Sequence, residues 1–418
     1  MRLLVVLALA GCFGKPGFSQ RDAPGQGDDA PGDGAMVDGP TVTFSPTGTA
    51  PGMGGTVQGS FFALHFADGA STFHFPDHLL IDGVERLGFD SAADCYAENE
   101  AGMALFPAHP IRSGGMATVD MTTLLSPLQG PAVVKVSVSW RTALTGMDLT
   151  SAPVTRNPFG TSTFTVFPDG RIVRSDSMSD SGSTPITIQS IDCLNQTTGS
   201  YYPTSYFTLA DPTGRETLFD ESGAPATIPM GSDLSGNQAV CLDYGTQRVA
   251  FGWTSGSLTR VRRPTPNLYG FVLDFTSTHT VMSIAGFDYM GRTEMFLGHG
   301  PSDCVATGLL GRARLVGLTA PSLQFGAAFV TPGEEGMYGS EAVPVNVSSP
   351  VTLRGDLTTT FAVWIRFANP MSDITVTKAG TAGPFYVKQR VIGKPLEWVV
   401  WFRDPLAPGQ AIQITAVP

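Results

Sequence analysis

Short runs that alternate apolar and polar side chains recur along most of this chain, and they restrict it to one broad fold class. In "AVVKVSVSW", residues 132–140, Val134, Val136, Val138 and Trp140 alternate with Lys135, Ser137 and Ser139. That period of two sends one set of side chains into a core and the other toward water. In "TSTFTVFPDGRIVRSD" two such runs, 163–167 and 171–174, flank Pro168-Asp169-Gly170. Proline fixes φ and glycine accepts a positive φ, so the segment is predicted to be a hairpin. Further strands are expected at 56–66, 185–191, 248–253, 258–262, 269–275 and 280–287. Helical periodicity is scarce, with a turn or two expected at 90–100 and 120–125. No strand–helix alternation is present, which disfavours a parallel α/β sheet, and no internal repeat of fixed period is present.

The last hundred residues have their own rhythm. Strands are expected at 327–330, 343–347, 361–367, 374–378, 385–391, 397–402 and 411–417. In the third of these, Phe361, Val363, Ile365 and Phe367 alternate with Ala362, Trp364 and Arg366. Seven short strands in about 100 residues is the count of an immunoglobulin-like sandwich. The ending "APGQAIQITAV" is similar to the last hairpin of many bacterial Ig-like modules. The predicted fold is all-β: a large antiparallel β-sandwich or jelly-roll body over 55–311, followed by a smaller Ig-like β-sandwich over 312–418. The boundary is expected near 312–320.

The amino terminus reads "LLVVLALAGC". Its apolar run, 3–10, would rise roughly 12 Å as a helix, whereas a bilayer core is about 30 Å thick. With Arg2 before it and small residues after it, the run reads as a secretory signal. Leu9-Ala10-Gly11-Cys12 resembles the lipobox of bacterial lipoproteins. That resemblance implies a signal peptide over 1–11, cleavage before Cys12 and acylation of Cys12, so that the partner of the chain is a lipid bilayer. Acyl chains hold a protein to a membrane at about 0.8 kcal/mol per buried CH₂. Phe13 stands where some Gram-negative families carry the Asp that retains lipoproteins in the inner membrane, which by that resemblance points to the outer membrane. In residues 13–54, 16 of 42 are Gly or Pro, and Asp22, Asp28, Asp29, Asp33 and Asp38 face only Lys15 and Arg21. Such a composition buries too little to offset its ordering entropy, so 12–54 is expected to be a flexible linker of roughly 35 Å end-to-end distance.

Charge and cysteine content narrow the function. The formal net charge is −11, and only 15% of residues are charged. That balance disfavours nucleic acid and anionic lipid surfaces. No Gly-rich phosphate loop is present, so a nucleotide is excluded and no cofactor is expected. Beyond Cys12 the chain holds Cys95, Cys193, Cys241 and Cys304. An even number in an exported protein implies two disulfides. Three connectivities are open, and the nested one, Cys193–Cys241 with Cys95–Cys304, is preferred here. None of the four lies in a CxxC pair, so no zinc motif is present.

The remaining chemistry is sparse. His65, His74 and His78 fall in "LHFADGASTFHFPDH" with Asp77, at a spacing that suggests strand, turn and strand rather than a metal site, and no metal is expected. His109, His279 and His299 are isolated, and GxSxG, SxxK and HExxH are absent. "WTSGSLTRVRRP" sets Arg260, Arg262 and Arg263 close after Trp253, with Tyr269 nearby. Arginine forks bind carboxylates and aromatic faces stack on sugars, so Trp253, Arg260 and Arg262, with Tyr201, Tyr202 and Tyr206 of "TGSYYPTSYF", are the candidate ligand residues. Two classes follow. One is a non-catalytic envelope lipoprotein that binds an acidic glycan or a protein partner or serves structurally, and it is favoured. The other is a uronate lyase or glycoside hydrolase, for which no carboxylate pair is nominated by motif.

Overall fold

A computed structural model describes residues 40–418 with breaks, the longest at 67–75, 109–121, 221–238, 263–271 and 331–344. Residues 1–39, with Cys12, the signal and most of the expected linker, lie outside the described residues, as do Tyr201 and Tyr202. The chain is all-β, as its alternation implies. Strands Thr43–Thr47, Gly54–Gln58, Phe62–Phe66, Pro76–Ile81 and Val84–Gly88 form an antiparallel meander in chain order. One face carries Val57, Phe62, Leu64, Phe66, Leu79 and Ile81, all buried. The expected single strand at 56–66 is two strands. The chain reverses at Gly59, whose N–H donates to Phe62 O at 2.9 Å. A Cβ on Gly59 would lie 2.2 Å from the Phe62 ring, so the turn is tighter than a side chain allows. The expected linker also ends earlier than Gly54. Val42 is fully buried and Thr43–Thr47 is already paired with Gly54–Gln58, because Val42 and Phe44 supply apolar side chains that the Asp-rich stretch lacks.

A nine-stranded antiparallel sheet follows. Its order is Glu216–Asp220, Tyr206–Ala210, Ala239–Asp243, Gln247–Trp253, Phe287–His299, Arg171–Asp180, Phe159–Val166, Val134–Arg141 and Thr122–Gln129. The predicted hairpin is present, with Val166 opposite Ile172 and Gly170 at φ 79°. Val134, Val136 and Val138 are buried, and Lys135 and Ser137 are half-buried. A second five-stranded sheet runs Arg260–Arg262, Val272–Thr276, Ser190–Thr197, Cys95–Glu98 and Ala104–Ala108. The two expected helices are corrected. Residues 90–100 contain the strand Cys95–Glu98, and 120–125 open the strand Thr122–Gln129. Both are too short to hold a helix alone, and Pro127, two residues past the second, keeps it from growing longer, so neighbouring strands decide.

The helix Leu309–Leu315 straddles the expected boundary and packs on the nine-stranded sheet. Leu309, Leu310 and Ala313 share a core with Ala239, Cys241, Ala250 and Phe296. Gly252 makes room for it, since a Cβ there would sit 2.2 Å from Ala313 O. The disulfide Cys241–Cys304 ties the underlying strand to the segment leading into this helix, with Cα atoms 6.3 Å apart. This overturns the nested pairing, because Cys241 and Cys304 were each assigned elsewhere. The helix covering the sheet is what brings them together. Cys95 and Cys193 stand directly opposite on adjacent antiparallel strands.

The carboxy-terminal region is a sandwich of two sheets. One runs Ala328–Val330, Ser322–Phe325, Val351–Asp356, Ala411–Val417 and Asp373–Lys378; the other runs Val345–Val347, Phe361–Phe367, Glu397–Phe402 and Tyr386–Arg390. Leu353, Phe361, Val363, Ile365, Val400 and Ile414 lie among its inner core. The strand Phe361–Phe367 was expected to show one face to water, yet Ala362 and Trp364 are buried too. A second core explains this. Ala362, Trp364, Val387, Val391, Val399 and Trp401 pack with Leu128, Ala132, Val133, Phe167 and Val173 of the body. Gln389 Oε1 accepts the Ala132 and Val133 N–H groups at 3.1 and 3.0 Å across this junction.

Candidate functional site

The densest buried polar cluster among the described residues lies at that junction. The Pro-Asp-Gly turn sets Asp169 at its apex and delivers Arg171 as the first residue of the returning strand. Arg171 Nε donates to Glu294 Oε2 at 2.8 Å, and its NH1 donates to Thr360 O at 2.9 Å. Arg171 is 1% exposed and Glu294 3%. The Arg171 guanidinium also lies 5.0 Å from the Phe167 ring centroid and 6.0 Å from that of Phe296. Asp169 Oδ2 accepts from Arg312 NH2 of the helix at 2.9 Å and from Thr360 Oγ1 at 2.7 Å. Its Oδ1 accepts the Arg171 N–H at 3.3 Å.

Among the described residues, the ion pairs Arg171–Glu294 and Arg312–Asp169 set two cations against two carboxylates here. The cluster's donors come from the hairpin, the helix and the segment entering Phe361–Phe367, so every bond but that within the turn joins different elements. Chemically it is a brace. Leaving Arg171 or Glu294 buried without the other costs about 3–5 kcal/mol, which fixes that pair in place. Arg248, fully buried, does similar work at the sheet end, donating to Gly245 O at 3.2 Å and Gly300 O at 3.0 Å. None of these residues was nominated from sequence. The available signal was an arginine and a glutamate inside otherwise apolar strand segments, "GRIVR" and "TEMFL".

The residues that were nominated fall in separate places. Tyr206 opens a strand of the nine-stranded sheet, opposite Asp243, which is itself opposite Arg248. Trp253 is five residues beyond Arg248 on the same strand, about 17 Å further along at the usual rise. Arg260 and Arg262 belong to the second five-stranded sheet, opposite Asp274 and Val272. Tyr206 and Trp253 therefore sit at opposite ends of one sheet, and the arginines in another. Among the described residues no helix is long and apolar enough to cross a membrane.

No family model matches the chain, and no curated protein matches it. Among solved structures it is similar to an alpha-mannosidase from Enterococcus faecalis V583, at 9% identity and a TM-score of 0.40, covering 86% of this chain and 42% of that one. A polysaccharide lyase is similar at 9% identity and a TM-score of 0.29, covering 86% of this chain and 47% of that one. A galactose 1-epimerase from Lactobacillus acidophilus NCFM is similar at 8% identity and a TM-score of 0.29, covering 62% of this chain and 99% of that one. The chain thus spans less than half the length of the mannosidase and of the lyase.

Proposed function

We propose that this chain is an outer-membrane-anchored cell-envelope lipoprotein whose fused sandwiches bind or support rather than catalyse. The observation that carries the reading is how buried charge is used. Asp169, Arg171, Glu294 and Arg312 are engaged with one another and with Thr360 across the junction. A glycosidase needs two carboxylates facing a substrate about 5–9 Å apart, and a carboxylate as buried as Glu294 faces none. The lipobox-like Leu9-Ala10-Gly11-Cys12 and the Gly- and Pro-rich stretch behind it support attachment at Cys12. The ligand is an acidic glycan or an envelope protein. Arg260 and Arg262 hold alternate positions on one strand, which puts them on one face of it.

The test uses the whole chain expressed in a Gram-negative host. Labelled fatty acid should enter the protein and be lost in Cys12→Ser. Purified protein should bind polygalacturonate or alginate at micromolar to millimolar strength and should bind neutral dextran less. Arg260→Ala with Arg262→Ala should weaken that binding by up to about thirtyfold, the sum of two ion pairs at up to about 1 kcal/mol each. Label persisting in Cys12→Ser would remove the anchor. New reducing ends or unsaturated ends released from any glycan would establish an enzyme instead.

A further inference from the structure

One end of the carboxy-terminal sandwich joins an apolar corner to a surplus of positive charge. The strand Tyr386–Arg390, an edge of the four-stranded sheet, returns to Glu397–Phe402 through a tight turn. The Lys394 N–H donates to Val391 O at 3.0 Å, and Gly393 has φ 73°, as at the third position of a type II turn. Ile392 is therefore the outer corner, and at 57% exposure it is the most exposed large apolar residue among those described. Such corners usually carry Pro, Gly, Asn, Asp or Ser. Arg390 NH2 donates to Met371 O at 2.9 Å, which brings the exposed Pro370 to the same end. Cations flank the corner. Arg390 lies 5.8 Å from the Trp398 ring centroid and Lys394 5.1 Å from that of Trp364, so the rings hold both in place without cancelling their charge. Arg366, exposed, stands opposite Glu397. Among the described residues at this end, Arg366, Lys388, Arg390 and Lys394 meet two acidic side chains. Asp373 bonds Lys388; Glu397, 7% exposed, takes Trp364 Nε1–H and pairs with Lys394.

We propose that this end docks on an anionic phospholipid surface, with Ile392 entering the interface and Arg366, Arg390 and Lys394 facing phosphate headgroups. That the surface lies close by rests on the proposed anchor at Cys12. Chemistry is the first argument. An apolar side chain backed by cations suits an anionic interface, where burial and headgroup attraction add. A soluble acidic glycan would use the cations and leave Ile392 in water. The charge of −11 belongs to the whole chain, and fields are screened beyond about 8 Å, so local charge decides. Placement is the second argument. The Val42 N–H donates to Pro131 O, and the next two N–H groups, of Ala132 and Val133, donate to Gln389 Oε1. Ile392 is three residues past Gln389, at most about 11 Å along the chain. The chain thus enters the folded body beside the strand that leads to the apolar corner. The 30 residues from Cys12 to Val42 can span up to about 105 Å, which leaves this end free to reach the surface.

The experiment is sedimentation of residues 13–418 with lipid vesicles. That chain keeps every described residue and carries no acyl group, so the result does not depend on whether Cys12 is lipidated; fatty-acid labelling of the whole chain tests that separately. The protein should pellet with vesicles of phosphatidylethanolamine and phosphatidylglycerol and stay in solution with phosphatidylcholine alone. Ile392→Ser should weaken pelleting about tenfold. Arg366→Gln with Lys394→Gln should weaken it about 25-fold, at about fivefold per cation near an anionic surface. Arg354→Gln with Lys378→Gln removes the same charge at the other end of the sandwich, opposite Ala411 and Ile412, and should leave pelleting within about twofold. Circular dichroism establishes that each variant is folded. Should one unfold, the wild type decides, since concentrated NaCl must weaken its pelleting with the anionic vesicles. Absence of pelleting with them, indifference to salt, or equal losses in the two double variants would overturn the proposal. So would polygalacturonate binding that depends on Arg366 and Lys394 alongside pelleting that does not, which would give this end to a glycan.

Discussion

Arg171 shows what a single buried charge does in this molecule. Its guanidinium reaches Glu294 in the neighbouring strand and the Thr360 carbonyl beyond the sheet, while phenylalanine rings cover its sides. Arg171→Ala should therefore lower unfolding free energy by about 3–5 kcal/mol, because Glu294 would stay buried with its counter-charge gone. Adding Glu294→Leu should recover part of that loss, since it removes the buried carboxylate that Arg171→Ala leaves uncompensated. Urea denaturation of the two variants checks both signs. At this scale the sequence discloses side chains that obey the period of the strand. Val134, Val136 and Val138 are core because alternation places them there. Arg171 and Glu294 break the pattern, and their burial depends on each other and on Thr360, which lies far away along the chain.

The elements divide by how local their causes are. The hairpin around Gly170 is legible because Pro168, Asp169 and Gly170 supply the turn chemistry within it. The strands Ser322–Phe325 and Val351–Asp356 are not among those expected from sequence, because each alternates over only four residues, Ser-Leu-Gln-Phe and Val-Thr-Leu-Arg, too short a run to stand out. Thr122–Gln129 resembles a short helix until Val134–Arg141 pairs with it. The cysteine pairing follows the same logic. Sequence alone leaves three connectivities open and does not favour this one, whereas strand register sets Cys95 opposite Cys193 and the covering helix sets Cys304 on Cys241. Peptide mapping of unreduced protein should therefore find Cys95 joined to Cys193 alongside Cys241–Cys304, and no alkylatable thiol among the four. Directly opposed residues of an antiparallel pair have Cα atoms about 4.5–5.5 Å apart, within disulfide reach. Recovery of Cys95 as a free thiol would sink this connectivity.

The whole molecule is held by a second core that neither sandwich completes alone. Ala362, Trp364 and Trp401 meet Leu128, Val133 and Phe167, and Gln389 ties off two backbone N–H groups of the body. Gln389→Ala should cost about 1–3 kcal/mol, as it leaves buried donors without an acceptor. Calorimetry should show one transition for both sandwiches in the wild type. Two well-separated transitions would mean that the shared core does not couple them. The signal for this junction was present in the sequence. Ala362 and Trp364 occupy the face of Phe361–Phe367 that alternation assigns to water, and a tryptophan there calls for a partner surface. What the sequence does not reveal is which surface, because the answering residues lie some 200 positions earlier.

The entry of the chain into the folded body has a mechanical consequence. The first strand that a load from the amino-terminal side would reach is Thr43–Thr47, an edge strand bonded to Gly54–Gln58. An edge strand pulled sideways parts one hydrogen bond at a time, like a zipper, and resists weakly. Val42 sits just ahead of it, fully buried, with its N–H on Pro131 O at 3.0 Å. Pro131 leads directly into Val134–Arg141 of the nine-stranded sheet. Tension is thereby handed past the vulnerable edge to the broadest sheet in the protein, so Val42 acts as a strain relief at the point where the cord enters the housing.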